Sequence, residues 1–232
     1  MGSCPFQGNT SLGCGAPITF ITSSGKEGDE GAGCLEPPCT NTSAWVNLEG
    51  GSVNTGYLRG AIEGAASGEC PTTELETGDE IPTGNGMNQA VMDTLEGAFI
   101  DIYNASAESP VSIENSDGDI VYEGQGWKVY IPVIQTDCPS GAISGEHQIV
   151  GWTEFVMTQV INKGKCAVAN HYQGNAWDAI GEAPNCLGTN VPPNSGALRA
   201  IFGYYSCTII PSNPHPEPGP RSALATKLRL VR

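Results

Sequence analysis

The stretch WKVYIPVIQTDCPSGAISGEHQIVGWTEFVMTQVI, residues 127–161, decides the class of the fold. Trp127, Val129, Ile131 and Val133 alternate with Lys128, Tyr130, Pro132 and Ile134, the period-two pattern of a strand. Pro139, Ser140, Gly141, Ser144 and Gly145 supply turn chemistry. A second β-rich run, Gln148 to Ile161, follows. Two later runs, Leu198 to Ile210 and Leu224 to Val231, have the same character. The expectation is a sheet built from these strands and decorated by the rest of the chain.

Composition points the same way. Gly (31) and Pro (17) are abundant in the 232 residues, which favours short strands and turns over long helices. Upstream of the opening stretch, Ala44 to Gly50 reads as a short strand. Asn54-Thr55 offers a cap for a short helix over Tyr57–Ile62, and Ser67-Gly68 ends it. Residues 75–85 read as a tight loop with a brief extended piece. Gly86 to Tyr103 carries Met87, Val91, Met92, Leu95, Phe99 and Ile102 at helical spacing, with Asn85 as a cap and Gly97 as a weak point. Val111–Glu114 and Ile120–Glu123 flank Asp117-Gly118, a hairpin signal. Residues 211–220 read as a polyproline-like loop. The predicted fold is α+β and β-rich: a mainly antiparallel sheet or small barrel, with two helices and long disulfide-stapled loops. The predicted organisation is a Cys/Gly-rich segment over 1–43 and a β-rich domain over 44–232, interrupted by an excursion at 162–197.

Ten Lys and Arg stand against 25 Asp and Glu, a net charge of −15. A nucleic acid or an anionic membrane surface needs a basic face, so neither is an expected partner. The charge is uneven: residues 1–127 hold 2 basic and 19 acidic residues, net −17, and residues 128–232 hold 8 and 6, net +2. A solvated acidic surface accounts for this; a cation site or a basic partner is the sharper alternative.

The nine cysteines (Cys4, Cys14, Cys34, Cys39, Cys70, Cys138, Cys166, Cys186, Cys207) are dispersed and form no C-x-x-C pair. That spacing argues for disulfides in an oxidising compartment rather than zinc. Cys4–Cys14, Cys34–Cys39 and Cys166–Cys186 are candidate pairs, although spacing does not fix connectivity. An odd count leaves at least one thiol free or bonded to another chain. No signal peptide or membrane-spanning helix is read, and Met1-Gly2-Ser3 has the look of an artificial start. An export segment or anchor would then be missing from this chain. The expected location is extracellular, periplasmic or cell-envelope.

The search for chemistry yields few residues. Gly141-Ala-Ile-Ser144-Gly145 has the wrong spacing for a nucleophile elbow. His147, His171 and His215 have no triad context, and H-E-x-x-H, the P-loop and G-x-G-x-x-G are absent. No cofactor is expected. Glu154, beside Trp152 on a strand, is the one carboxylate worth weighing for glycoside hydrolysis; an outward-facing strand residue is the plainer account. Asn115, Asp117 and Asp119 form an oxygen-rich loop, but Gly124 stands where an EF-hand requires Glu. Trp45, Trp127, Trp152, Trp177, Tyr204 and Tyr205 could make a sugar platform, but in a β-rich domain such residues are more often core and cross-strand pairs. Asn9, Asn41 and Asn104 head N-x-S/T strings.

An ordered series of short strings spans residues 45–232: Trp45-Val-Asn-Leu-Glu-Gly-Gly51, Tyr57-Leu58-Arg59 to Ile62-Glu63-Gly64, Gly78-Asp79-Glu80-Ile81, Gly84-Asn85, Ile131-Pro132-Val133, Ile149-Val150-Gly151-Trp152, Ile201-Phe202-Gly203-Tyr204 and Leu228-Arg229-Leu230-Val231. The series resembles bacterial Tad-like (tight-adherence) proteins, including TadG-like Flp pilus-assembly proteins. Trp152 stands where that pattern has Phe, and Thr83-Gly84-Asn85 where it has Pro-Gly-Asn. The resemblance implies a non-catalytic extracytoplasmic domain of a pilus-assembly or cell-surface adhesion protein. Its partners would be other subunits of the assembly, with the membrane reached only through an N-terminal anchor. It brings no catalytic residues. A secreted polysaccharide hydrolase and a calcium-stabilised binding module are the alternatives.

Overall fold

The computed structural model describes residues 17–21, 43–69, 75–84, 89–114, 117–135, 144–163, 165–168, 199–206 and 224–227. Its centre is the pair that the alternation of residues 127–161 predicts: β6 (Trp127–Ile134) runs antiparallel to β7 (Gly145–Asn162). At 18 residues β7 is long enough to serve two neighbourhoods. Its first half lies in a small barrel and its second half in an open sheet.

The barrel arises from a closed circuit of pairings. β7 pairs with β3 (Glu80–Gly84), β3 with β2 (Ser43–Val46), β2 with β10 (Leu224–Lys227), and β10 with β6, which returns to β7. Every pairing in the ring is antiparallel except β10 with β6. Closure removes the free edges that a sheet of short strands would otherwise expose. Ala44, Val46, Leu48, Leu75, Ile81, Ile134, Ile149 and Trp152 form one buried cluster, drawn from four of the five ring strands and the loops beside them. This is the inside of the ring. Residues 75–85, read from sequence as mostly loop, contribute a full ring strand. Pro82 and Gly84 hide its strand character, since both residue types are rare in strand interiors.

The second half of β7 pairs with β9 (Ala200–Tyr205), and β9 pairs with β1 (Pro17–Ile21). A two-residue strand, β8 (Lys165–Cys166), pairs with the last turn-side residues of β7. The expected strand over 198–210 is thus six residues long. Of the expected Leu224–Val231 strand, Leu224–Lys227 lies within the described residues.

Two bulges decide which face each β7 side chain takes. Val133 pairs with Gly151 and Ile134 with Ile149, so Val150 is extra; Met157 pairs with Gly203 and Gln159 with Phe202, so Thr158 is extra. Each extra residue reverses the in/out parity. Phe155 and Met157 therefore share a face with Val160, and Trp152 shares the barrel interior with Ile149.

The helices cover the first of those faces. α1 (Thr55–Ala66) begins where expected: Asn54 caps it, its Oδ1 accepting from Tyr57 N at 3.0 Å, and Gly68 at φ +79 lies just beyond its end. α2 (Gln89–Ala105) buries Val91, Met92, Leu95 and Phe99. With Trp45, Leu58, Ile62, Trp127, Val129 and Ile131 these form the main core against β6 and β7. The Asp117-Gly118 turn joins β4 (Val111–Glu114) to β5 (Ile120–Gly124), as the dipeptide predicts. This hairpin covers the opposite face through Ile113 and Tyr122, which pack on Val156 and Tyr204. Gly203 lets β9 lie close against β7 and the Phe155 ring: a Cβ there would lie 2.1 Å from Val156 O and 2.5 Å from Phe155 Cζ.

Candidate functional site

Between the barrel core and the β4–β5 hairpin, one strip of the β6–β7 surface is polar. Tyr130 and Glu154 are directly opposed across the ladder, and Lys128 is opposed to Val156, which makes it the diagonal neighbour of Glu154. Lys128 Nζ lies 3.0 Å from Glu154 Oε2, and Tyr130 Oη donates to Glu154 Oε1 at 3.0 Å. Both oxygens of the carboxylate are therefore engaged. Burial, the Glu154 hydrogen bond and the Glu154 charge together push the Tyr130 phenol above its usual range. The partners of Glu154 are a lysine and a tyrosine; glycoside hydrolysis would need in addition a second carboxylate facing it across a cleft, roughly 5–10 Å away. The arrangement does what a cross-strand ion pair does: it satisfies the polar ends of three side chains whose stems lie along the sheet.

The other candidates from sequence are scattered. Asp117 and Asp119 are exposed in the hairpin turn, where Gly118 takes φ +84; Asn115 lies outside the described residues. Among the described residues no three His, Cys, Asp or Glu side chains gather as a metal site would need. His147 Nδ1 lies 3.2 Å from Gln135 O at the barrel rim, an arrangement that orients the ring. His171 and His215 lie outside the described residues. Trp45, Trp127 and Trp152 are each no more than 4% exposed, so they are core residues and not a sugar platform. Tyr204 is buried and stacks on Tyr122 at 4.7 Å between ring centroids. Trp177 lies outside the described residues. Cys166, on β8, is disulfide-bonded. Its bonding partner, like Cys4, Cys14, Cys34, Cys39 and Cys186, lies outside the described residues. Asn104 is exposed in the last turn of α2, and the Ser106 hydroxyl accepts from Gly126 N at 3.0 Å.

Sequence reading missed the densest polar group, where the start of α2 meets the end of β7. Asn162 is 2% exposed. Its amide nitrogen donates to Asp93 Oδ1 and to Glu96 Oε2, both at 2.7 Å. Gln89 Nε2 donates to Asp93 Oδ1 at 2.6 Å and to Asn162 Oδ1 at 2.8 Å. Lys163 Nζ reaches Asp93 Oδ1 at 3.1 Å, and Arg199 Nη2 donates to Gln89 Oε1 at 3.1 Å. Hydrogen bonds from Asn162, Lys163 and Gln89 hold the Asp93 carboxyl below the usual range. The one sequence signal for this group is the spacing of Gln89, Asp93 and Glu96 on a single helix face.

No known family model, curated protein or solved structure matches the chain.

Proposed function

We propose that this chain is a non-catalytic extracytoplasmic domain that works by assembly or adhesion at a cell surface, of the Tad-like pilus-assembly kind. The observation that carries the reading is how the strings behind the resemblance meet one another. Gly78 N donates to Ile149 O and Ile149 N to Asp79 O, both at 2.8 Å, so the Gly-Asp loop and the Ile-Val-Gly strand are one ladder. Asn47, inside Trp45–Gly51, folds its own turn: Oδ1 accepts from Glu49 N at 2.9 Å and Nδ2 donates to Ser52 O at 3.2 Å. Leu48 N donates to the Tyr57 hydroxyl at 2.8 Å, joining that turn to α1. Strings that follow in order along the chain and bond to each other act as a scaffold.

The test is deletion of the gene in its source organism, with piliation, surface adherence and fractionation of the tagged protein measured together. The expected result is loss of adherence or of surface filaments, with the protein in the envelope or medium. Unchanged adherence and filaments with a cytoplasmic protein would overturn the proposal.

A further inference from the structure

The β4–β5 hairpin lies on the large sheet without joining it. Among the described residues, β4 and β5 pair with each other and with no strand of the larger sheet. An apolar cluster holds the hairpin down: Ile113 and Tyr122 meet Val156 and Tyr204, with Val111 and Val121 at the margin. The Tyr122 and Tyr204 rings stack at 4.7 Å between centroids. The Tyr122 hydroxyl donates to Gln125 O, within the hairpin's own base. Both legs of the hairpin spring from one point. Residues 107–110, all exposed, lead from Ser106 into β4, and the other leg passes through Gln125 and Gly126 into β6. Gly126 N donates to the buried Ser106 hydroxyl at 3.0 Å, and that hydroxyl donates to Tyr103 O at 2.8 Å. Gln125 Nε2 donates to the same Tyr103 O at 2.9 Å. Gly126 is also seated tightly on β7, where a Cβ would lie 2.8 Å from Met157 O.

We infer that the β4–β5 hairpin is a lid, hinged at Ser106 and Gly126, that swings off the sheet and uncovers an apolar strip containing Val156 and Tyr204. Because no described strand pairing joins the two sheets, the closed state rests on side-chain packing, which is non-directional and re-forms on contact. The root stays in place while the lid moves, since its hydrogen bonds run to the last turn of α2 and not to the covered strip. The exposed leg over 107–110 turns without disturbing any buried residue of its own. A two-stranded hairpin away from its sheet is marginally stable, and this keeps the lid shut at rest. The lid does not depend on the assembly reading above.

Alkylation by iodoacetamide in the full-length protein, read by peptide mass spectrometry, tests it. Val156→Cys places a thiol under the lid, and Val129→Cys places one in the main core beneath the helices. The Val156→Cys thiol is expected to react at least about tenfold faster than the Val129→Cys thiol, through local opening rather than global unfolding. Adding Leu95→Ala weakens the main core, whose contacts persist when the lid is open. It is expected to speed the Val129→Cys reaction at least about tenfold and to leave the Val156→Cys reaction unchanged. A Val156→Cys thiol no faster than Val129→Cys would overturn the inference, as would acceleration of both alike by Leu95→Ala. Should a variant fail to fold, hydrogen exchange in the unaltered protein gives the same reading. Amides of the β4–β5 ladder exchanging at least about tenfold faster than those of the β6–β7 ladder support the lid, and exchange of the two ladders in step overturns it.

Discussion

At the scale of single residues, Glu154 shows how an attractive sequence context becomes a structural role. A carboxylate beside a tryptophan on a strand is what a sugar site needs, yet Trp152 is buried in the barrel core and Glu154, farther along the same face, is taken up by Lys128 and Tyr130. Strand parity puts these two, i and i+2, on one face, and burial separates them: Trp152 is 1% exposed and the Glu154 side chain 28% exposed. Lys128 and Glu154 side chains are 36% and 28% exposed, so the pair is screened by water and contributes little. Glu154→Gln should therefore cost less than about 1 kcal/mol in denaturant unfolding. It should also lower the Tyr130 phenol toward its ordinary range, because two of the causes that raise it, the carboxylate hydrogen bond and the carboxylate charge, are removed. Ultraviolet titration of the variant reads this directly. A Tyr130 titration unmoved by Glu154→Gln would mean that the pair does not form in solution.

At the scale of elements, what sequence revealed divides by the range of the interaction. Asn54 and Asp117-Gly118 act within a few residues, and both the α1 cap and the hairpin turn were legible. The apolar stripe of α2 was legible because periodicity is local too. The strand over Glu80–Gly84 was not, since its place is fixed by pairings to β2 and β7 and not by its own composition. The bulges at Val150 and Thr158 are visible in hindsight as breaks in alternation, but only partner strands give the breaks a meaning. The polar group around Asn162 was illegible for a different reason: Gln89, Asp93 and Asn162 are ordinary surface types, and nothing local reports that they meet across 69 to 73 residues. Asn54 tests the legible end of this range. Its side-chain oxygen accepts from Tyr57 N, and the Tyr57 hydroxyl in turn accepts from Leu48 N, so the cap seats the Trp45–Gly51 turn as well as the helix. Asn54→Ala should lower stability by about 1 kcal/mol in chemical denaturation. Asn54→Ser, which restores a capping oxygen, should recover most of it, and failure of that rescue would assign the loss to something other than the cap.

At the scale of the whole molecule, the layers enclose phenols more than any other titratable group. Tyr57, Tyr103, Tyr122, Tyr130 and Tyr204 are all raised above the ordinary tyrosine range, and burial is the first cause for each. They are spread over α1, α2, the hairpin, the barrel wall and the open sheet, so their linkage reports on the entire fold. A phenol is neutral when protonated, and the unfolded chain gives up these protons near pH 10, before the folded chain does. Above that pH the folded state holds more protons than the unfolded one, so stability must fall as pH rises. The stabilising contribution of the five phenols is complete below about pH 10 and is lost as pH climbs through their raised values. Asp93 sets the opposite limb, since its lowered carboxyl contributes stability that is lost as pH falls through the acid range. Melting temperature should then be flat across neutral pH and drop steeply on the alkaline side. Replacing Tyr122, which stacks on Tyr204 and donates to Gln125 O, with Phe should soften that drop. The mild cost at neutral pH of the lost hydrogen bond separates this effect from general destabilisation. An alkaline limb unchanged in Tyr122→Phe would show that ionisation of the buried phenols does not drive it.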